Sequence, residues 1–148
     1  MPKRNLRMDR GSIRDFEKNL RRTRDSVIES VSSFLTKHAE GVIETASNYY
    51  VPIWTGALVH SNWIDEVVVG EENIRITFGF ADPEKHMINP ETGVPVTQYA
   101  IEVHEHGSPL YPRPHKYLEI PVTESLKHFE QGLNEAIAEG LAARRVGG

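Results

Sequence analysis

The chain has 148 residues, with 17 Lys plus Arg against 21 Asp plus Glu and a net charge of -4. That length suits one domain with a core of ordinary size, and neither an apolar run of about 18 residues nor a charged-then-apolar leader is present to suggest a membrane span or signal peptide. Cysteine is absent, which excludes a disulfide framework, a cysteine nucleophile, zinc ribbons and iron–sulfur ligation.

The net charge conceals a division. The first 25 residues hold nine basic side chains and four acidic ones, a net of +5, which leaves eight basic against seventeen acidic, or -9, for the rest. A basic arm on an acidic body suits nucleic acid, an acidic partner or self-association of arm with body. A plain solvated, partly helical tail has the same charge pattern.

From Ser12 onward the apolar residues Ile13, Phe16, Leu20, Val27, Val31, Phe34, Leu35, Val42, Ile43, Ala46 and Tyr49 recur at steps of three, four and seven. This spacing predicts a helix over 13–50, opened by Ser12 with Asp15 as a capping box after Gly11. Unbroken, it would be about 57 Å long, against a diameter of about 40 Å for a compact domain of this size. The helix must therefore bend, with Gly41 one candidate position, or project its basic first half onto something else. Pro52 ends it, because proline disfavours the α region at the residue before. The segment Val51 to Leu58 reads as a turn that returns apolar side chains to the core.

Two strand-like runs follow, Trp63 to Val69 and Ile74 to Phe80, joined by a short loop at Gly70-Glu71-Glu72-Asn73. In the second run Ile74, Ile76, Phe78 and Phe80 share one face, with Arg75 and Thr77 on the other. Residues 81–97 contain Pro83, Pro90, Gly93 and Pro95 without periodicity. So long a connector suggests a functional or interfacial loop. The run Gln98 to His106 fits helix or strand equally. Beyond a proline-rich stretch around Tyr111 and Arg113, Pro121 marks the first position of a last helix. That helix carries Val122, Leu126, Phe129, Leu133, Ile137 and Leu141 at helical spacing. The order of elements predicts an α+β fold, in which a long N-terminal helix and a C-terminal helix pack on a small antiparallel β-sheet with a long irregular loop. Three regions result: a basic arm or helix extension over 1–24, one α+β domain over 25–143, and a frayed tail over 144–148.

Candidate chemistry is sparse. If Glu102 to His106 forms a strand, Glu102, His104 and His106 share one face, and His115 stands nearby; that arrangement would suit a divalent metal. The spacing is not that of a helical His-Glu-x-x-His motif, and a solvated or interfacial histidine cluster accounts for it equally. No Gly-x-Ser-x-Gly elbow and no phosphate-binding glycine pattern occurs. Glu71 and Glu72 read as solubilising turn residues. Arg14, Lys18, Arg21 and Arg22 fall at helical spacings able to follow phosphates, but Asp15, Glu17 and Asp25 interrupt the patch. Contact with passing DNA fits this pattern better than sequence-specific recognition.

One combination of motifs resembles a known family. Ala46 to Tyr50 closes the long helix, and Pro52-Ile53-Trp54-Thr55-Gly56-Ala57-Leu58 forms a Pro-x-x-Thr-Gly-x-Leu turn with Ser61 following. Tyr99-Ala100, Glu102 or Glu105, Gly107, and Lys116-Tyr117-Leu118 with Pro121 come later in matching order. Together these resemble the neck and tail-completion proteins of tailed bacteriophages, the minor tail protein Z-like and head–tail joining family, over roughly residues 35–140. The sequence departs from that pattern at Val59-His60, where a basic residue is usual, and at Gly107-Ser108, where Gly-Thr is usual. The insertion at 81–97 and the basic arm are also less typical.

The resemblance implies a non-enzymatic structural protein without cofactor, placed in the virion neck and made in the host bacterial cytoplasm. It implies a homo-oligomeric ring, with six copies the natural count, around the DNA channel and between head-completion or connector proteins and tail-terminator or tail-tube proteins. Pro52, Thr55, Gly56 and Leu58 would be the structural turn. The interface candidates are Arg14, Lys18, Arg21, Arg22, Tyr99, Glu105, Tyr111 and Arg113. From a different class, a small metal-dependent or nucleic-acid-processing accessory protein built on His104, His106 and His115 is the alternative.

Overall fold

A computed structural model of the chain describes residues 10–52, 56–107 and 116–146, with side chains described to residue 143. The fold is α+β. Helix α1 runs over Arg10–Thr45 and passes through Gly41 without interruption. The departure from α geometry comes five residues later, in a π-helical turn over Ala46–Tyr50 closed by the Val51 amide donating to the Ala46 carbonyl at 2.8 Å. Pro52 then holds Val51 extended, at φ -69° and ψ 126°. Ser12 lies inside the helix instead of capping it.

A short helix α2 (Ala57–His60) leads into a hairpin built from β1 (Trp63–Ile64), β2 (Val68–Val69), β3 (Ile74–Arg75) and β4 (Phe78–Gly79). β1 pairs with β4 and β2 with β3, both antiparallel. Between the two ladders residues 65–67 face residues 76–77, so the first strand carries one extra residue. This bulge bends the hairpin and splits one long ladder into two short ones. Gly70 N–H donates to Asn73 O at 2.8 Å and closes the tip, where the loop was expected.

Helix α3 (Val96–His106) settles the ambiguous run as helix. The last helical segment starts before Pro121: α4 spans Glu119–Ser125, a 3₁₀ turn follows over Leu126–His128, and α5 covers Phe129–Val146. Pro121 is its third residue, not its first, and still falls among the N-terminal positions that have no intrahelical acceptor for an N–H. α5 includes residues 144–146, where a frayed tail was expected.

The core has two parts. Val31, Leu35, Ala39, Val42 and Ile43 of α1 are buried at helical spacing, and α5 packs on α1 from Ser26 to His38. The register is antiparallel, with Ser30 Oγ donating to Ala136 O at 2.5 Å and Ser26 Oγ to Gly140 O at 2.7 Å. The second part gathers Ala46, Val51, Ala57, Leu58, Val96, Ala100 and Tyr117 where α1 ends against α2, α3 and α4.

Ser61 ties the hairpin to this second core. It is fully buried, its hydroxyl donates to Leu58 O, and it accepts from Ala81 N–H at 2.9 Å. Ala81 itself is held at φ 63°. Ser61→Ala is expected to cost about 1–3 kcal/mol, the penalty for a buried donor left without its acceptor. Urea denaturation checks this; an unchanged midpoint would show that the Ala81 amide finds another partner.

Candidate assembly interface

The first thirteen described residues of α1, Arg10 to Arg22, are all exposed, and burial begins at Thr23. At about 1.5 Å per residue this leaves about 20 Å of helix beyond the core. Two faces run along it. Ile13, Phe16 and Leu20 form an apolar stripe and remain 43%, 55% and 54% exposed. Arg10, Arg14, Lys18 and Arg21, at steps of four, four and three, form a basic stripe about a third of a turn away, with Arg22 beyond it. Among the described residues none of these five cations has a carboxylate within ion-pair distance. A helix with one oily and one cationic face, and no partner on either among the described residues, is shaped for association.

A groove opens where burial begins. It has a volume of about 670 Å³ and is walled by Val27, Ile28 and Val31 of α1, the hairpin tip, and Leu133 and Ile137 of α5. Glu71 and Glu72 stand at its hairpin rim, and Arg24 lies at the α1 side. Val68 and Val69 beside it are 51% and 44% exposed. Phe129, Leu133 and Ile137 of the C-terminal helix's apolar stripe thus line a groove, while its small residues make the close helix contact. At Gly140 an added Cβ would lie 2.7 Å from Val27 Cα, and at Gly132 it would lie 2.5 Å from Phe34 Cε2.

Of the structural turn, Pro52 and Leu58 are buried, and Gly56 adopts φ 81°. That left-handed conformation favours glycine, and an added Cβ would also press on the His60 ring at 3.1 Å. Thr55 lies outside the described residues. The long connector, without periodicity in sequence, is a clasp around Asn89, which is 1% exposed. Asn89 N–H donates to Val94 O at 3.0 Å, and its Oδ1 accepts from Glu91 N–H at 2.9 Å. The Asn89 side chain also bonds Tyr99, whose hydroxyl pKa is raised by its burial. Tyr99 therefore faces this clasp and is half-buried. Sequence patterning missed Asn89, because a buried asparagine in a proline-rich loop has no periodic signal.

Glu105 belongs to a junction between α3 and α4. Its carboxylate pairs with Lys116 Nζ and lies 3.1 Å from His104 Nδ1, and both contacts hold it below the usual carboxylate range. His104 O accepts from Lys116 N–H at 2.6 Å, and His104 Nε2 accepts from Glu119 N–H at 3.3 Å, within the first turn of α4. With Nε2 accepting, Nδ1 carries the proton and donates to Glu105. His104 acts here as a helix-start acceptor.

The metal arrangement does not form. On a helix His104 and His106 point about 200° apart, and no group of three or more ligating side chains is gathered among the described residues. His115, Tyr111 and Arg113 lie outside the described residues. Elsewhere His38 packs with Phe34 and Phe129 in a triad of rings, edge-on to Phe129, and contacts Ser125 Oγ at 3.2 Å; burial lowers its pKa. No described helix is long and apolar enough to cross a membrane.

Compared with known proteins, the chain matches no family model, no curated protein and no solved structure.

Proposed function

We propose that this chain is a non-enzymatic structural subunit of a tailed-bacteriophage neck, assembling as a homo-oligomeric ring around the DNA channel between head and tail. Six copies suit a tail axis, with head-completion or connector proteins on one side and tail-terminator or tail-tube proteins on the other. The motif resemblance supplies the class. The observation that carries the reading is the projecting half of α1, about 20 Å of helix whose apolar and basic faces have no partner among the described residues of one copy. A subunit completed by its neighbours accounts for that exposure, whereas a monomer would leave three large side chains in water. In a closed ring each copy offers the same heterologous contact. The basic stripe also faces any DNA that passes nearby. Against the metal-dependent alternative, Glu102, His104 and His106 do not share one face of the helical α3.

Light scattering and negative-stain electron microscopy of the full chain are expected to show closed rings. Deleting residues 1–24 is expected to give monomers that still unfold cooperatively, since Arg10 to Arg22 contribute nothing buried. The same rings from the truncated chain would remove the arm from assembly. A full chain that stays monomeric at high concentration would overturn the ring.

A further inference from the structure

We infer that the projecting half of α1 docks in the groove between α1, the hairpin tip and α5 of a second copy of the same chain. The inference rests on the reading of this protein as a self-assembling subunit, and it names the surface that receives the arm. Two features of the groove match two features of the arm. Its walls are aliphatic, from Val27, Val31, Leu133 and Ile137, and the arm presents Ile13, Phe16 and Leu20. Its hairpin rim carries Glu71 and Glu72, and the arm presents Arg14, Lys18 and Arg21 on a flank about a third of a turn round from the apolar stripe. Oily contact supplies the attraction, and opposite charge at the rim sets the orientation and excludes other docking poses.

Two competing surfaces fit less well. The trough between α1 and the first strand is rimmed by Glu29, Glu40, Asp65 and Glu66 but offers Ile64 and Val67 as its apolar lining, too little for three large side chains. Pairing one arm with another would cover the apolar stripes but would bring two basic stripes close together.

The occupant cannot come from the same copy. α1 is continuous from Arg10 to Thr45, so Phe16 stays about 18 Å along the axis from Ile28 at the groove. An arm seated in a groove is therefore always a neighbour's arm. A one-way exchange of this kind propagates head to tail and closes as a ring or runs on as a filament.

Because the chain has no cysteine, introduced thiols report the contact without background. Lys18→Cys and Glu72→Cys are both at exposed positions, so neither disturbs the core. Mixed in equal amounts and treated with a short thiol crosslinker, these two single variants are expected to give a Lys18→Cys–Glu72→Cys linked product. Lys18→Cys alone, or mixed with Asp65→Cys, is expected to give none. The double reversal Glu71→Lys with Glu72→Lys is expected to raise the concentration needed for assembly by about tenfold. Adding Arg14→Glu and Lys18→Glu to that variant is expected to restore assembly. Linkage to Asp65→Cys, linkage of Lys18→Cys to itself, or assembly without the Glu72→Cys product would each overturn the groove. If rings form without that product, the docking site fails and the ring reading stands. If the product appears in a closed dimer, the docking site stands and the ring reading fails.

Discussion

Gly140→Ala is expected to destabilise the folded chain by up to about 2 kcal/mol, while Gly41→Ala is expected to stabilise it by about 0.8–1 kcal/mol. Both glycines sit inside helices, and both substitutions gain the same helix propensity. The difference is what the new methyl meets. At Gly41 nothing lies within 4 Å of the added Cβ. At Gly140 the neighbours are Val27 Cα at 2.7 Å, Ser26 O at 3.0 Å and Val27 N at 3.1 Å, all backbone of α1. Backbone inside a helix cannot turn aside, so the two helices must separate. Separation strains the Ser26–Gly140 and Ser30–Ala136 hydrogen bonds, which hold the register. Overpacking of this kind costs about 1–3 kcal/mol, and the propensity gain returns about 1 kcal/mol of it.

Gly132→Ala tests the same seam more gently, because the obstructing group is the Phe34 ring, a side chain that can rotate away. Urea midpoints at constant m-value should therefore rank Gly41→Ala above the parent, then Gly132→Ala, then Gly140→Ala. If Gly140→Ala raised the midpoint as Gly41→Ala does, α1 and α5 would not approach at this distance. The seam also sets the width of the groove beside it, since Leu133 and Ile137 lie on α5 and Val27 and Val31 on α1. A change at Gly140 is felt in both stability and docking.

The seam illustrates what the sequence could and could not convey. The long helix was legible because a stripe of large apolar residues at three-four spacing is a strong signal. Length alone left two outcomes, a bend or a projection. What the periodicity could not reveal was where burial starts: Ile13, Phe16 and Leu20 continue the stripe of Val31 and Leu35 yet stand in solvent. In the last helix the same method located the helix but misassigned its contact. Leu126 and Leu141 are 55% and 44% exposed, whereas Ala136 is 5% exposed and Gly140 is buried. Small residues carry little hydropathy, though Gly132, Ala136 and Gly140 at steps of four would have marked a close approach.

The ambiguous run became helix because Val96, just after Pro95, begins it. With that residue included, Val96, Ala100 and Val103 make a helical stripe that a window opening at Gln98 misses. The turn at Gly56 was readable because few residues other than glycine accept φ 81°. The groove rim was not. Glu71 and Glu72 read as solubilising turn residues until the fold placed them beside an apolar cleft.

Above pH 10 the protein is expected to lose about 2–3 kcal/mol of stability by pH 12, most of it through Tyr117. Tyr117 is 5% exposed, its hydroxyl donates to Ala100 O at 3.0 Å, and its ring meets Phe80 and His104 edge-on at 5.6 and 4.8 Å. Burial pushes its pKa up to about 12 from the usual 10. The folded state thus keeps the phenol proton over a range in which the unfolded chain has released it. The unfolded state then binds fewer protons, so stability falls as pH rises from 10 to 12 and is unaffected by this group below 10. Tyr99 and Lys116, also raised, add to the slope in the same direction. Tyr117→Phe keeps the ring but removes both the hydrogen bond and the titration. It is expected to be less stable than the parent by about 1 kcal/mol at pH 8. At pH 12 the order should reverse, because the parent has by then lost more than the hydrogen bond contributed. Urea unfolding followed by circular dichroism at intervals from pH 8 to pH 12 would reveal the crossing. Parallel curves would mean that Tyr117 ionises no later in the folded chain than in the unfolded one.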